Sequence, residues 1–341
     1  MTRIDTLLSS FPRAALLSQP TPLERLDRLS EELDIDLWIK RDDLTGLSFG
    51  GNKTRQLEFY IGAARAAQAD TILITGAVQS NFARTAAAAA AKYGMQAVLQ
   101  REERVPGMDL LYHSNGNVFL SDILGAEAMS YPEGEDEAGA DAALEARAEE
   151  LRAAGRRPYI IPLGLGHAPL GALGYVQGGA ELASQIGGFD AAVVPSGSGA
   201  THGGFLTGVR LAGITEPVFG ICVRRGAQAQ KTRLEQVTAE LAGLMDIQRP
   251  FASDDILTWD GALAPGYGRA GPGTRGALQR MASAEGILLD PVYSAKTFAG
   301  LLGLLEEGAI RKGQKVLLLH TGGLPALFAY QNELGFSGAG S

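Results

Sequence analysis

The sequence predicts an α/β protein of two domains, each an open, mostly parallel twisted sheet flanked by helices. Two observations carry this. Short runs rich in Ile, Val and Leu, "DLWIK", "DTILITG", "QAVLQ", "PYIIP", "DAAVVPSG", "PVFGICV" and "KVLLLHTGG", alternate with stretches of helical period. Strands separated by helices need crossovers, hence parallel neighbours with both sheet faces covered. The 341 residues, 45% of them hydrophobic, fill two moderate cores better than one.

Charge and composition exclude several function classes. Lysine and arginine count 30 against 38 acidic residues, a net charge of −8 with no basic tract, which argues against nucleic acid and anionic membranes as partners. The single cysteine, Cys222, lies in an apolar run and reads as a core thiol in a reducing compartment. The segment "MTRIDTLLSSFPR" is broken by Asp5 and Arg13, and no run reaches the ~18 apolar residues of a membrane span, so a cytoplasmic protein is expected. His113, His167, His202 and His320 show no ligand spacing, and no metal site is expected.

After "DLWIK" comes "FGGNKTRQLEF", in which Gly50 and Gly51 precede Asn52, a good N-cap, so a helix is expected to begin at Lys53. Lys53, Leu57, Ile61 and Ala64 share its apolar face. An inward lysine in the first turn is discouraged from holding its proton by burial and by the helix dipole. A neutral amine is a nucleophile; the competing reading is a lysine that snorkels to water.

The run "DTILITG" leads into "AVQSNFARTAAAAAAKYG", so Gln79, Ser80 and Asn81 form a loop entering a long alanine helix. Its free amides suit a carboxylate, although Ser80 and Asn81 are also ordinary caps. "YPEGEDEAGAD", residues 131–141, reads as a solvated acidic loop ahead of a polar helix. "DAAVVP" is followed by "SGSGATHGGF", where Gly197 and Gly199 permit close backbone approach and Ser196, Ser198 and Thr201 supply hydroxyls around Ala200. The turn lacks the third glycine of a dinucleotide site and the lysine of a nucleoside-triphosphate loop, and fits one phosphate. In "GILLDPVYSAKTFAGL", Tyr293 and Ser294 stand between a strand-like run and a helix; "VLLLHTGG" ends a strand at Thr321; the closing "GFSGAGS" reads as a frayed tail.

A neutralisable lysine, a one-phosphate cradle, a carboxylate site and several hydroxyls together describe a pyridoxal 5′-phosphate enzyme acting on a small amino acid. Arg55 is assigned only as a possible counter-charge to the phosphate.

The same motifs, in order from "PTPLERLDRLSEELDIDLWIKRDDLTGLSFGGNKTRQLEF" through "GAVQSN", "SGSGATHGG" and "DPVYSAK" to "HTGG", make the chain resemble the pyridoxal-phosphate enzymes of the tryptophan synthase β-like fold. Within them it resembles the branch of 1-aminocyclopropane-1-carboxylate deaminase and D-cysteine desulfhydrase. The resemblance implies that Lys53 is the Schiff-base lysine, that Asn81 bonds the cofactor's 3′-oxygen, that Ser80 receives the substrate carboxylate, and that Tyr293 and Tyr267 are active-site tyrosines. It further implies a cofactor set of Lys53, Asn81, Ser196, Gly197, Ser198, Gly199, Ala200, Thr201, Ser294 and Thr321. Gln79, Ser80, Asn81 and Phe82 are then expected to face the substrate. A homodimer is expected, with residues 1–50 and 163–341 as the large cofactor-binding domain and 51–162 as the small substrate-side domain.

Three departures bear on substrate. Ser294 stands where cyclopropane deaminases carry Glu, which favours the desulfhydrase-like members; Phe82 stands where His or Gln is usual; Gln56 replaces a common lysine. The expected reaction is β-elimination from D-cysteine, with L-cysteate next and the cyclopropane acid third. A non-catalytic binder on the same scaffold is the reading outside enzymes.

Overall fold

The computed structural model describes residues 2–336; most of the "GFSGAGS" tail lies outside them. Ten strands form among these residues: β1 (Leu23–Arg25), β2 (Asp36–Arg41), β3 (Thr71–Ala77), β4 (Gln96–Glu102), β5 (Glu127–Tyr131), β6 (Pro158–Ile161), β7 (Ala191–Ser196), β8 (Val218–Cys222), β9 (Leu257–Trp259) and β10 (Lys315–His320). They make two sheets, one of order β1-β2-β10-β7-β8-β9 and one of order β5-β4-β3-β6. Every pairing is parallel except that of β1 with β2. The chain is thus an α/β protein with two mostly parallel sheets flanked by helices.

Alternation along the strands shows why helices must cover both faces. On β7, Ala191 and Val193 join one core and Ala192 and Val194 another; on β10, Val316 and Leu318 divide from Leu317 and Leu319 in the same way. On β3, Ile72 and Ile74 pack under the alanine helix while Leu73 packs with Leu144, Ala148 and Leu151 of the helix Glu137–Ala153. All seven residues of β3 are buried, as a central parallel strand requires.

The seven runs read as strands are all strands, and three further strands are short or exposed edges. β1 and β9 have three residues each, and β5 presents mostly exposed side chains. Such edges lack the apolar run that marks a doubly covered strand. The strand-like "GILLD" is unpaired between the helices Pro272–Glu285 and Ser294–Glu306. The helix opening at Lys53 runs to Ala66, but it is buried on nearly all sides, including Thr54, Arg55, Gln56 and Glu58. A single apolar stripe was the wrong picture for it. Cys222 is a free, buried thiol whose pKa burial pushes up to about 12. No helix among the described residues is long and apolar enough to cross a membrane.

Candidate active site

The carboxyl ends of β3, β7, β8 and β10 open onto one cleft, where ligands gather in open α/β sheets. Lys53, Ser80, Asn81, Phe82, Gly197, Ser198, Gly199, Thr201, Tyr267, Tyr293 and Thr321 all line it.

Lys53 is the first residue of its helix, and burial lowers its pKa from 10.5 to about 8. Its Nζ is 3.3 Å from Gln56 Oε1 and 4.8 Å from the centroid of the Phe82 ring. No carboxylate pairs with it among the described residues, so nothing repays the desolvation of its ammonium. Asn52 does not cap the helix; its Nδ2 donates to Thr201 Oγ1 across the cleft at 2.9 Å.

Gln56 Nε2 donates to the same Thr201 oxygen at 2.9 Å. With both lone pairs engaged, the Thr201 hydroxyl is left as a donor. Thr201 belongs to the first turn of the helix Ala200–Leu211, whose N-cap, Gly199, provides no side-chain cap. The first-turn amides therefore have neither intrahelical acceptors nor a capping oxygen, the arrangement that receives an anion.

The glycines serve this turn differently from the sequence reading. A Cβ on Gly199 would lie 3.2 Å from Val237 Cγ2, and one on Gly197 3.2 Å from Val223 Cγ2. Both positions are pressed by packing behind the turn, and Gly199 also has φ +104, which disfavours any side chain.

Ser80 caps the helix Asn81–Lys92 by accepting from Ala83 N, and Asn81 Oδ1 accepts from Asn117 Nδ2 at 2.9 Å. Opposite them the Tyr267 and Tyr293 hydroxyls are 2.8 Å apart. Burial, then the neighbouring Tyr267, raises the Tyr293 pKa well above 10, so Tyr293 keeps its proton at neutral pH.

Four expected residues, and Arg55, are placed otherwise. Gln79 is turned from the cleft: its Nε2 donates to the carbonyls of Tyr112 and Asn115 and its Oε1 accepts from Asn117 N. Ser196 is fully buried beneath the turn, contacting His202 Nδ1 and accepting from Gln230 Nε2. Ala200 faces a neighbouring hollow rather than the cleft. The Ser294 hydroxyl donates to Asp290 Oδ1 at 2.5 Å and accepts from Asp290 N. Arg55 is buried in a network with Asp42, Glu181 and Thr21, so it is a structural cation and makes no hydrogen bond to the turn at residues 197–201.

Sequence reasoning missed the charged wall. Glu137, read as part of a solvated loop, starts the helix Glu137–Ala153 and lines the cleft beside Arg224 and Arg233. A signal existed: "RRG" follows "PVFGICV" as "SGSG" follows "DAAVVP", and both strand ends open to the same place.

The residues present fit pyridoxal phosphate: an amine with a depressed pKa, an uncapped helix start for the phosphate and a held asparagine share one cleft. The chain matches the family described as pyridoxal-phosphate dependent enzyme over residues 15–322. It is 40% identical over 331 residues to a D-cysteine desulfhydrase of Salmonella choleraesuis (strain SC-B67), covering 95% of this chain and 97% of that one. A solved structure described as an ACC deaminase homologue superposes with a TM-score of 0.88 at 37% identity, covering 98% of this chain and 99% of the other. O-ureido-L-serine synthase, at 18% identity and a TM-score of 0.67 over 94% of each chain, shares the fold. This chain therefore belongs to the pyridoxal-phosphate-dependent enzymes.

Proposed function

We propose that the protein is a carbon–sulfur lyase that removes the β-substituent of a small amino acid, D-cysteine before L-cysteate, releasing pyruvate and ammonia with sulfide or sulfite. The observation that carries the reading is the Lys53 amine, with a pKa of about 8 and no carboxylate partner, in one cleft with the hydroxyl pair of Tyr267 and Tyr293. The similarity to D-cysteine desulfhydrase supports the same choice.

The cofactor, when bound, supplies an aldehyde and an electron sink for the bond-breaking at Cα and Cβ. Lys53 would hold the aldehyde, and its amine is the candidate base for the Cα proton. The first-turn amides at residues 200 and 201 and the Thr201 hydroxyl would hold the phosphate. Asn81, fixed by Asn117, would donate to the ring oxygen, and the loop at Ser80 would receive the substrate carboxylate. Tyr293, kept protonated by burial and bonded to Tyr267, stands ready to protonate the leaving sulfur.

The protein is proposed to work in the cytoplasm as a homodimer; Phe49, Phe119 and Phe328 are exposed around a shared hollow, and a large exposed apolar patch marks an association surface. The second reading, a cyclopropane-acid deaminase, draws on the solved homologue. Both are tested by supplying D-cysteine, L-cysteate and 1-aminocyclopropane-1-carboxylate to the purified enzyme and to Lys53→Ala. Pyruvate from D-cysteine in the parent alone is the expected result. 2-Oxobutanoate from the cyclopropane acid with no pyruvate from either sulfur compound would overturn it.

A further inference from the structure

Among the described residues, Glu137 is the one acid that lines the cleft. It comes from the helix that covers the four-stranded sheet, and it reaches three arginines in the segment that follows β8 of the other sheet. Its Oε1 is 3.2 Å from Arg224 Nη1 and 2.8 Å from Arg225 Nη2, and its Oε2 is 3.6 Å from Arg233 Nη1. Arg224 and Arg225 follow β8, and Arg233 lies on the helix Ala227–Leu244.

Arg224 and Arg233 line the cleft with Glu137, and Arg225, paired to the same carboxylate, does not. Arg233 Nε donates to Ser198 O at 2.8 Å and Arg225 Nη1 approaches Gly197 O at 3.5 Å, so both brace the phosphate turn. Arg224 lies over the Tyr267 ring, 5.9 Å from its centroid, and its Nε is buried without a partner. The three guanidiniums are crowded: burial, then Arg233 and Arg224, pushes the Arg225 pKa down to about 10. Burial alone would raise the Glu137 pKa, yet Arg233, Arg224 and Arg225 hold it below the usual range.

A charge count then constrains the substrate. Against three positive charges stand the Glu137 carboxylate, the more exposed Glu135 carboxylate 3.1 Å from Arg224 Nη2, and the phosphate of a bound cofactor, about −1.5 to −2 at neutral pH. With Glu137 in place the loaded wall has no surplus of positive charge, and of the two acids only Glu137 lines the cleft. A substrate with a second anion at its β-carbon would put another negative charge beside a carboxylate that already holds the arginines, and exclusion by like charge is an effective source of specificity.

We infer that Glu137 is a specificity-determining residue: by occupying the arginines it restricts the site to amino acids whose β-substituent is uncharged, such as a thiol, against those carrying a sulfonate. This rests on the elimination reading for its biological meaning, but charge selectivity itself needs no turnover.

The test therefore combines binding with kinetics. Methanesulfonate, which has the sulfonate but no reacting atom, and dimethyl sulfone, its neutral counterpart, are titrated calorimetrically onto the cofactor-loaded parent, Glu137→Gln and Glu137→Asp. We expect Glu137→Gln to bind methanesulfonate roughly tenfold more tightly or better, about the effect of one charge contact in a partly closed site. Dimethyl sulfone should be unchanged, Glu137→Asp should behave as the parent, and the gain should shrink in 0.5 M salt. Adding Arg224→Met to Glu137→Gln should remove the gain. In parallel, the ratio of kcat/KM for L-cysteate to that for D-cysteine should rise in Glu137→Gln. Equal affinity for methanesulfonate in Glu137→Gln and parent would overturn the inference whether or not either enzyme eliminates anything. Tighter anion binding in an enzyme inactive on every β-substituted amino acid would support it and overturn the proposed reaction instead.

Discussion

The Nζ of Lys53 stands 4.8 Å from the centroid of the Phe82 ring. A ring face attracts a cation weakly, and the Gln56 oxygen is the amine's other polar neighbour at 3.3 Å. Neither matches water, which is why burial wins and the amine pKa falls to about 8.

The Lys53 amine should therefore react at neutral pH in the cofactor-free protein. A pKa of about 8 in place of 10.5 leaves roughly 300 times more neutral amine at pH 7. Because the folded value is depressed, the amine is half neutral at about pH 8, and the reactive form falls roughly tenfold for each pH unit below that. Acylation of Lys53 by an amine-selective reagent, followed by peptide mass mapping, should show a rate rising through pH 8; a midpoint near 10.5 would contradict this environment.

Replacing Phe82 with His should alter both packing and selectivity. The ring is 5% exposed, lies 6.1 Å from Tyr60 between centroids, and belongs to the core under the alanine helix while also lining the cleft. We expect a stability loss of about 1–3 kcal/mol. We also expect a ten- to hundredfold change in relative kcat/KM among D-cysteine, L-cysteate and the cyclopropane acid, about the effect of one polar contact. Equal changes on all three substrates would make Phe82 a packing residue alone.

Arg55→Met should damage the fold and spare the phosphate turn. It removes the bonds to Asp42 and Glu181 and leaves carboxylates buried without that partner, a loss of about 3–5 kcal/mol. Urea unfolding should show this loss. Inorganic phosphate binding to the still-folded fraction at low temperature should match the parent; a large loss there would return Arg55 to the cofactor.

His202 should contribute to acid sensitivity. Burial lowers its pKa from 6.5 to about 4, below its unfolded value, so unfolding takes up a proton between these limits. Its stabilising effect is complete above pH 6.5 and is lost as pH falls towards 4, by about 3 kcal/mol over that window. His202→Asn should flatten the fall in unfolding free energy between pH 6.5 and 4 by this amount; an unchanged slope would mean that other groups govern it.

How much of this was legible in the sequence depended on whether a feature is local. The doubly buried strands show as apolar runs, and the turns at Ser80 and Ser198 show because each follows such a run directly. Orientation was not legible: Gln79 and Ser196 sit at those turns and Ser294 opens a later helix, yet their polar atoms are taken up by Asn117, His202 and Asp290. Arg55 and Glu137 failed for a further reason, since each is engaged by a partner more than eighty residues away, Glu181 and Arg225 respectively. A charge's meaning is fixed by its partner, and one-dimensional spacing cannot supply it.

The register of β2 with β10, Trp38 beside Leu317 and Lys40 beside Leu319, ties the order of synthesis to the appearance of the cleft. All strands of the four-stranded sheet lie within residues 71–161, so that sheet can assemble while the chain is still emerging from the ribosome. The six-stranded sheet must wait, because β10 stands between β2 and β7 and is made after every other strand. Until then β2 has no parallel neighbour, and the turn at residues 197–201, although already synthesised, is not tied through the sheet to the strand that leads to Lys53. A nascent chain that stops before residue 315 holds the reactive lysine and most of its cleft residues without the strand that brings them together.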